Sequence, residues 1–204
     1  MDIIKHAFGE YGTNAYLLRF DGFEFVVDPG FESTQWVLSN SQNLKAILIT
    51  HGHFDHVWDV ASLQDKTKAK VYCPSQDSFM LESDCFGLGL TPCKADFYVQ
   101  NTESAVELCI EGVNLRYWHF PGHTPGCSMI EIDDQFFSGD FIFNQSIGRY
   151  DFPYSDADSM KASLQRFLQI EKDLVIHPGH GEATTVKAEQ KRVPLWIRHI
   201  GSRA

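Results

Sequence analysis

The sequence predicts a mixed α/β (α+β) protein, built as a four-layer αββα sandwich of two mixed β-sheets with helices on both outer faces. Three observations lead to this prediction. The chain has two β-rich halves, and segments with helical spacing accompany each half. In each half, strands run directly into histidine-containing loops. No Pro-, Gly- or Ser-rich linker interrupts the 204 residues, so we expect a single domain over residues 1–204 with a site at one edge, between the halves.

The first half begins with an antiparallel meander. Its short β-prone runs are separated by turn residues such as Asp21-Gly22. The run 46–50 is almost continuously apolar, which is typical of a strand buried on both faces. Alternating strands and helices follow it, in βαβα order. The predicted strands are 3–8, 15–20, 23–27, 46–50 and 69–73, and the predicted helices are 33–39, 57–64 and 75–82.

The second half follows residues 83–97, which have no clear periodicity and which we expect to form a loop or lid lining the pocket. Four β-prone segments come next. Apolar residues at Met160, Leu164 and Phe167 then have helical spacing, with acidic residues near the start of that segment. The predicted strands are 105–110, 113–120, 128–132, 135–138 and 173–176, and the predicted helices are 155–170 and a final one at 183–191.

Composition and charge narrow the choice of partner and compartment. Hydrophobic residues make up 43% and charged residues 22%, as in ordinary globular proteins. The formal net charge of −10 disfavours nucleic acid and anionic membranes, which bind basic faces. No segment is apolar enough to cross a bilayer, and the first residues lack the layout of a secretion signal, so we expect a cytoplasmic protein. The five cysteines are odd in number and lack CxxC spacing, which indicates reduced thiols.

The most specific pattern in the chain is a histidine cluster directly after the strand at 46–50. Side chains at i and i+2 of an extended segment point the same way, so His51 and His53 can converge on one ion. Asp55 and His56, where the chain turns into the next helix, can reach a neighbouring position. Imidazole and carboxylate suit zinc, iron or manganese. A polar loop without metal is the alternative, but four potential ligands within six residues favour a metal site.

Three more candidate ligands follow predicted strands, each in a glycine-flanked loop. A catalytic metal site draws ligands from several elements, and glycine lets the backbone approach closely. Each loop alone is more typical of a plain turn than of a metal ligand. Their common placement after strands, in a chain that already has the His51 cluster, favours metal binding. They are His123 in Pro121-Gly122-His123-Thr124-Pro125-Gly126, Asp140 in Ser138-Gly139-Asp140, and His180 in Pro178-Gly179-His180-Gly181.

This ordered set resembles the metallo-β-lactamase superfamily, from about residue 10 to about residue 185. The resemblance implies two divalent metal ions, Zn²⁺ in the first instance, with iron or a zinc and iron mixture as alternatives. It also implies that Asp28 orients a ligand, although a turn aspartate before Pro29-Gly30 is an open alternative. The implied ligands are His51, His53 and His123 for one ion, Asp55, His56 and His180 for the second, and Asp140 for both.

Within the superfamily, the closer resemblance is to glyoxalase II and its single-domain relatives. It rests on residues 121–126, on Ser-Gly-Asp-Phe-Ile-Phe at 138–143, and on Ile-Gly-Arg-Tyr-Asp-Phe-Pro at 147–153. It implies hydrolysis of a small thioester of the hydroxyacylglutathione type by attack of a metal-bridging hydroxide, which Asp55 would also aim. The chain stops 24 residues after His180, too early for the C-terminal helical domain with which classical glyoxalase II grips glutathione.

Other functions remain open on the same residues. The Gly-Arg-x-Asp element also occurs in persulfide dioxygenases, so a mononuclear iron persulfide dioxygenase is the runner-up. In that enzyme His51, His123 and Asp140 would hold the iron. A lactonase is a third candidate, and a non-enzymatic metal-binding interaction module is a fourth. In each enzymatic case the partner is a small molecule, and the pattern predicts no oligomeric state.

Three further residues are candidates for supporting roles. Arg149 could pair with a substrate carboxylate or lock its loop to Asp151 through an ion pair. His177, directly before Pro178, could orient a ligand or lie on the surface. Asn14 could contact the substrate or simply form a turn.

Overall fold

Two six-stranded β-sheets pack face to face in this computed structural model, which describes residues 1–201. Helices pack on the outer face of each sheet. The predicted four-layer αββα sandwich is therefore confirmed. None of the helices within residues 1–201 combines the length and the apolar character that crossing a bilayer requires.

The N-terminal half of the chain forms the first sheet. Its strands are β1 (Asp2–Phe8), β2 (Thr13–Arg19), β3 (Glu24–Val27), β4 (Leu44–Leu48), β5 (Lys70–Pro74) and β6 (Phe97–Val99). Its helices are α1 (Ser33–Asn40), α2 (Phe54–Val57), α3 (Val60–Thr67) and α4 (Ser78–Glu82), the last preceded by a 3₁₀ turn at Ser75–Asp77. The spatial order is β1-β2-β3-β4-β5-β6. The first three strands are antiparallel, and β3 to β6 are parallel, because the chain crosses over between them.

The C-terminal half forms the second sheet. Its strands are β7 (Val106–Ile110), β8 (Val113–His119), β9 (Ser128–Ile132), β10 (Gln135–Gly139), β13 (Val175–Pro178) and β14 (Thr184–Thr185), and a small hairpin joins β11 (Ile142–Phe143) and β12 (Ser146–Ile147). Its helices are α5 (Ala157–Phe167), α6 (Val186–Gln190) and α7 (Val193–Gly201). The order is β14-β13-β10-β9-β8-β7, in which β10 and β13 form the parallel pair.

Three apolar layers hold the sandwich together, because successive strand residues face opposite sides of a sheet. Val26 packs outward against the helices of the first half, whereas Val27 packs inward between the sheets. In the second sheet, Phe137 faces the inner layer and Phe136 packs outward with Leu164 of α5. Each large side chain buried in this way contributes about 1.5–3 kcal/mol relative to an exposed position.

Several predicted elements differ from the observed ones. The helix predicted at 57–64 is broken at Asp59, whose carboxylate accepts hydrogen bonds from the backbone N–H and the hydroxyl of Thr34. Strand β6 was not predicted, because three residues added in parallel to a sheet edge have no periodicity to detect.

The C-terminal helix was wrongly predicted. Thr184–Thr185 pairs with β13 as a short strand, and the Thr185 hydroxyl then caps α6 by accepting from the N–H of Ala188. A further helix, α7, packs its apolar side against α5 in the same apolar layer. Residues 183–191 are thus a strand followed by a helix, and they are not the last element.

Candidate metal centre

The seven predicted ligands lie together at one edge of the sandwich, in two groups. His51, His53 and His123 form the first group, and Asp55, His56 and His180 form the second. Within each group the potential ligand atoms lie within 4.8 Å of one another. Asp140 lies between the groups. Its Oδ2 is 3.4 Å from Nε2 of His123 and 3.2 Å from Nε2 of His180, and its Oδ1 is 3.2 Å from Nε2 of His56.

The ends of parallel strands bring these residues together. In the first sheet β3 leads into Asp28 and β4 leads into His51, and both strands point toward the same edge. In the second sheet the parallel strands β10 and β13 lead into Asp140 and His180. The N–H of Gly179 donates to Gly139 O over 2.8 Å, which fixes these two loops side by side.

Gly179 also leaves room for the site. A Cβ atom at this position would overlap Oδ1 of Asp140 and lie 2.6 Å from Cε1 of His56. Glycine is therefore required here for close approach, and this explains why the predicted ligand loops are rich in glycine.

Two imidazoles are oriented by backbone carbonyls. The Nδ1 of His123 lies 2.7 Å from Arg149 O, and the Nδ1 of His180 lies 3.0 Å from Tyr11 O. A carbonyl oxygen only accepts, so each Nδ1 carries the proton in the neutral ring. Each Nε2 therefore keeps its lone pair and faces the centre of the site.

Asp28 orients two more histidines. Its Oδ2 lies 2.9 Å from Nδ1 of His56 and accepts the Thr50 hydroxyl proton over 2.6 Å. Since the Thr50 hydroxyl donates to Asp28, its oxygen can accept from Nδ1 of His51, 3.1 Å away. Asp28 adopts a left-handed backbone with φ of 49° and is buried, and its carboxylate also accepts from the N–H of Thr50. These contacts match the predicted orienting role better than that of a simple turn aspartate.

Buried atoms test whether a metal fits this arrangement. Among the described residues, Nε2 of His51 is buried without a hydrogen-bond partner, and its ring lies 4.1 Å from the ring of His56. Nε2 of His56 and Oδ1 of Asp140 are also buried, and they lie 3.2 Å from each other. Buried polar atoms nearly always have a partner, so an unpaired imidazole nitrogen beside this carboxylate is suited to a cation. Nitrogen and carboxylate donors in such a cluster suit zinc, iron or manganese. The residues present therefore fit metal ions.

Burial controls the proton affinity of the first group. It lowers the pKa of His51 and of His123 below the ordinary value, and it lowers the pKa of His53 to about 3. These imidazoles are consequently neutral and able to bind metal over a wide pH range.

Neighbouring carboxylates outweigh burial in setting the pKa values of the histidines in the second group. Burial alone would lower the pKa of His180, but hydrogen bonds to Asp140 and Asp55 raise it to about 9. Burial is likewise outweighed at His56, where Asp140 and Asp55 raise the pKa above its usual value. Burial would raise the pKa of Asp55, yet His56, His180 and the Thr13 hydroxyl, which donates over 2.7 Å, hold it at about 2. Without metal, this group holds protons where a cation would otherwise lie.

Asp77, a carboxylate that belongs to no motif in the chain, joins the two loops of the first group. It is fully buried behind the metal centre. Its Oδ2 accepts from the N–H of Gly52 over 2.8 Å and from the Thr124 hydroxyl over 2.6 Å, and its Oδ1 accepts from the N–H of Gly126 over 2.6 Å. A lone aspartate in a turn after β5 carries no recognisable signal, so only the fold could reveal it.

A cavity of about 370 Å³ opens onto the centre. Ligand-group side chains form its floor, and aromatic side chains form most of its walls. It is lined by Tyr11, His53, Phe54, Asp55, Phe86, His123, Asp140, Phe152, Pro153 and His180. Phe86 comes from the loop at 83–97, so this loop does line the pocket as expected.

Arg149 contributes to the centre through its backbone rather than its side chain. Its carbonyl accepts from Nδ1 of His123. Its guanidinium forms a two-bond ion pair with Asp151 at 2.8 and 3.1 Å and lies 4.1 Å above the Phe152 ring. Of the two predicted roles, the structure favours the ion pair that locks the loop.

Asn14 and His177 do not line the cavity. Asn14 is buried in β2 rather than in a turn, and its Nδ2 donates to the carbonyls of Pro178 and Gly181, which supports the His180 loop. His177 hydrogen-bonds to Gln135 and stacks on Phe137, so it belongs to the packing of the second sheet. The prediction of Asn14 as a substrate contact is therefore corrected to a supporting role, and His177 is not part of the centre.

The chain is similar to known proteins over most of its length. The family model described as the metallo-beta-lactamase superfamily matches residues 8–180. The hydroxyacylglutathione hydrolase GloC of Haemophilus influenzae is 33% identical over 182 residues, which cover 83% of this chain and 85% of that protein.

Two solved structures have the same fold. BLEG-1, described as a B3 metallo-beta-lactamase, has a TM-score of 0.85 and 28% identity, with 96% of this chain and 99% of that chain covered. TTHA1623, solved in a di-iron-bound form, has a TM-score of 0.77 and 33% identity, with 94% of this chain and 99% of that chain covered.

Proposed function

Because the chain belongs to the metallo-β-lactamase superfamily, we propose that it is a binuclear metal-dependent hydrolase of a small thioester of the hydroxyacylglutathione type. One observation carries the proposal: two groups of potential ligands meet at a shared carboxylate, Asp140, and Nε2 of His51 beside it is buried without a partner among the described residues. An unpaired buried nitrogen is rare in a cluster that serves only packing.

The ligand assignment follows the two groups. We assign His51, His53 and His123 to one ion, Asp55, His56 and His180 to the other, and Asp140 to both. Zn²⁺ is the proposed metal, and iron or a mixed pair is the alternative, since TTHA1623 was solved with two irons. Two such ions, when bound, supply Lewis acidity toward a carbonyl and a water-derived nucleophile at neutral pH.

The chain's own residues would position the reacting groups. Asp55 lines the cavity, and the Thr13 hydroxyl holds its Oδ2, which leaves Oδ1 to orient the attacking water. Asp28 fixes His56, and the backbone carbonyls of Tyr11 and Arg149 fix His180 and His123. The aromatic walls would exclude bulk water around the scissile bond.

The choice of thioester is supported by GloC, which is named as a hydroxyacylglutathione hydrolase and aligns with most of this chain. The cavity of about 370 Å³ is within the size range of sites that bind small organic molecules.

Thiol release from lactoylglutathione, together with metal analysis of the protein purified without added metal, tests the proposal. We expect close to two metal equivalents and hydrolysis that Asp140→Ala abolishes together with metal retention. Asp134→Ala is the matched control, because Asp134 is an exposed carboxylate paired with Lys172. Full activity of Asp140→Ala would refute the assignment.

A mononuclear iron persulfide dioxygenase is the second candidate, because Gly148-Arg149-Tyr150-Asp151 has the Gly-Arg-x-Asp element that such enzymes share with glyoxalase II. A single iron could then bind His51, His123 and Asp140. One equivalent of iron, with oxygen uptake on a thiol persulfide and no thioester hydrolysis, would support this enzyme instead.

A further inference from the structure

We propose that the acyl group accepted by this site is apolar and of aromatic size, and that the carboxylates of a thiol carrier are not recognised inside the cavity. The inference rests on the proposed thioester hydrolysis and deepens it. It comes from the walls of the cavity, which are distinct from the ligand groups at its floor.

Four aromatic rings line the cavity and a fifth, Tyr154, contacts one of them from outside the lining; we call Tyr11, Phe54, Phe86, Phe152 and Tyr154 the aromatic belt. The Tyr11 ring lies 5.6 Å from the Phe54 ring, which lies 6.0 Å from the Phe86 ring. Phe86 in turn lies 6.0 Å from Tyr154, and Phe152 completes the wall at 6.1 Å from His53. These rings come from four separate segments of the chain, so their meeting is a property of the fold.

The belt is unusually exposed for aromatic side chains. Of the rings that line the cavity, Tyr11 is 61% exposed and Phe152 39%, although each has an aromatic neighbour against which it could have been buried. Exposed apolar side chains that converge around a concave site mark a surface where a ligand covers them. Residues that served only the core would be covered by protein.

Positive charge is missing from the same walls. Within residues 1–201, no lysine or arginine lines the cavity. The guanidinium of Arg149, which stacks on Phe152, pairs with Asp151, and Lys5, beside the His180 loop, pairs with Glu182 at 3.5 Å. Among the described residues, the cavity lining therefore offers a carboxylate-bearing group no lysine or arginine partner.

An aromatic acyl group matches these walls. Rings pack edge-to-face at centroid separations of about 4.5–7 Å, which is the spacing that the belt already uses among its own members. A ring entering the cavity would bury apolar area on both sides, whereas a lactoyl methyl group would reach little of it.

The test compares four substrates in a two-by-two design. Mandeloyl and lactoyl groups, which differ by a phenyl ring in place of a methyl group, are each attached to glutathione and to the uncharged thiol N-acetylcysteamine. We expect kcat/KM to favour mandeloyl by about tenfold or more on either carrier, after division by each thioester's rate in hydroxide alone. We expect glutathione to be favoured over N-acetylcysteamine by less than about tenfold.

Substitutions in the belt give the second comparison. Phe86→Ala and Phe152→Ala are each expected to lower the mandeloyl-to-lactoyl ratio by about threefold or more, because each removes one wall of the cavity. Phe97→Ala is the matched control, since Phe97 is an exposed phenylalanine that stacks on Tyr72 outside the cavity. It should leave the ratio unchanged, and circular dichroism should report native folding for all three.

Binding measured without turnover separates the two proposals. By calorimetry, the thioether S-benzyl-N-acetylcysteamine should bind more tightly than its S-methyl counterpart, and Phe86→Ala should remove the difference. If this holds while no thioester is cleaved, the proposed function fails and the aromatic ligand class stands. If all four thioesters are cleaved with a ratio near one, or if glutathione is strongly preferred, the inference fails and the hydrolase stands.

Discussion

Asp77 provides the sharpest test of how the metal centre is held in place. The variants are Asp77→Asn and Asp77→Ala. The carboxylate accepts three hydrogen bonds of 2.6 to 2.8 Å from the two loops that carry His51, His53 and His123. Alanine removes all three and leaves two backbone N–H groups buried without a partner, at a cost of roughly 1–3 kcal/mol each.

Asparagine should be milder than alanine. Its carbonyl oxygen can still accept from Gly52 and Thr124, but its amino group would face the N–H of Gly126, donor against donor. One of three hydrogen bonds is therefore lost. We expect Asp77→Ala to lower the free energy of unfolding by about 2–4 kcal/mol more than Asp77→Asn does, and both to weaken metal binding by about 10- to 100-fold.

Because Asp77 is buried, the difference in stability between the unmodified protein and its Asp77 variants should depend on pH in a known direction. Burial raises the pKa of Asp77 from 3.8 to about 6, against the lowering effect of the hydrogen bonds that the carboxylate accepts. Between about pH 6 and 4, Asp77 therefore binds a proton in the folded protein but not in the unfolded chain. Its contribution to the free energy of unfolding is full below about pH 4 and is lost as the pH rises through about 6. The shift corresponds to about 3 kcal/mol.

Denaturant unfolding of the metal-free proteins at about pH 4.5 and 7.5 measures this effect, with metal affinity from chelator competition. Between those pH values, the unmodified protein should lose stability relative to Asp77→Asn, which cannot titrate. Asp65→Asn is the control, because Asp65 is an exposed carboxylate paired with Lys68. Equal stability and metal affinity in all variants would refute the role of Asp77, and a pH-independent difference would refute the buried charge.

Two further predictions concern the metal centre. As the pH falls from about 8 to 5.5, we expect metal at the proposed second group to be released before metal at the first. Without metal the pKa of His180 is about 9 and that of His53 about 3, so a proton competes with metal only at the second group in this range. The proton on His180 alone lowers the affinity about tenfold per pH unit below 9, and simultaneous release from both groups in a metal titration would contradict this. Gly179→Ala should lower metal content and thermal stability together, since its Cβ would overlap Asp140. Gly181→Ala is the control for stability loss alone: its φ of 77° strains an alanine, but the added Cβ meets nothing within 4 Å, so this variant should lose stability and retain the metal.

Local sequence patterns identified the candidate ligands because metal binding leaves a dense chemical signature. Four potential ligands within six residues after an apolar strand are uncommon outside metal sites, and glycine-flanked residues after later strands fitted the same scheme. Supporting residues leave no such signature. Asn14 was interpreted as a turn or substrate contact, yet it lies in β2 and holds the His180 loop through backbone carbonyls that are identical in every residue type.

The secondary-structure predictions show the same contrast: elements with local causes were predicted, and elements that depend on distant residues were missed. Apolar runs such as 46–50 and the helical spacing around Leu164 predicted their elements because burial on one or both faces imposes a period. The chain at 184–185 and strand β6 were missed because two or three residues paired to a sheet edge owe their conformation to a distant partner. The same holds for the break at Asp59, which depends on Thr34 from another helix.

Local patterns in the chain were enough to establish the layered fold, the family and a set of seven residues suited to metal, since hydrophobic periodicity and ligand spacing are local properties. The packed sheets were needed to show that Asp77 joins two histidine loops and that Arg149 acts through its carbonyl. They were also needed to show that aromatic side chains from four segments meet around one cavity. Those features depend on distances between residues far apart in the chain, and such distances are fixed only when the sheets have packed.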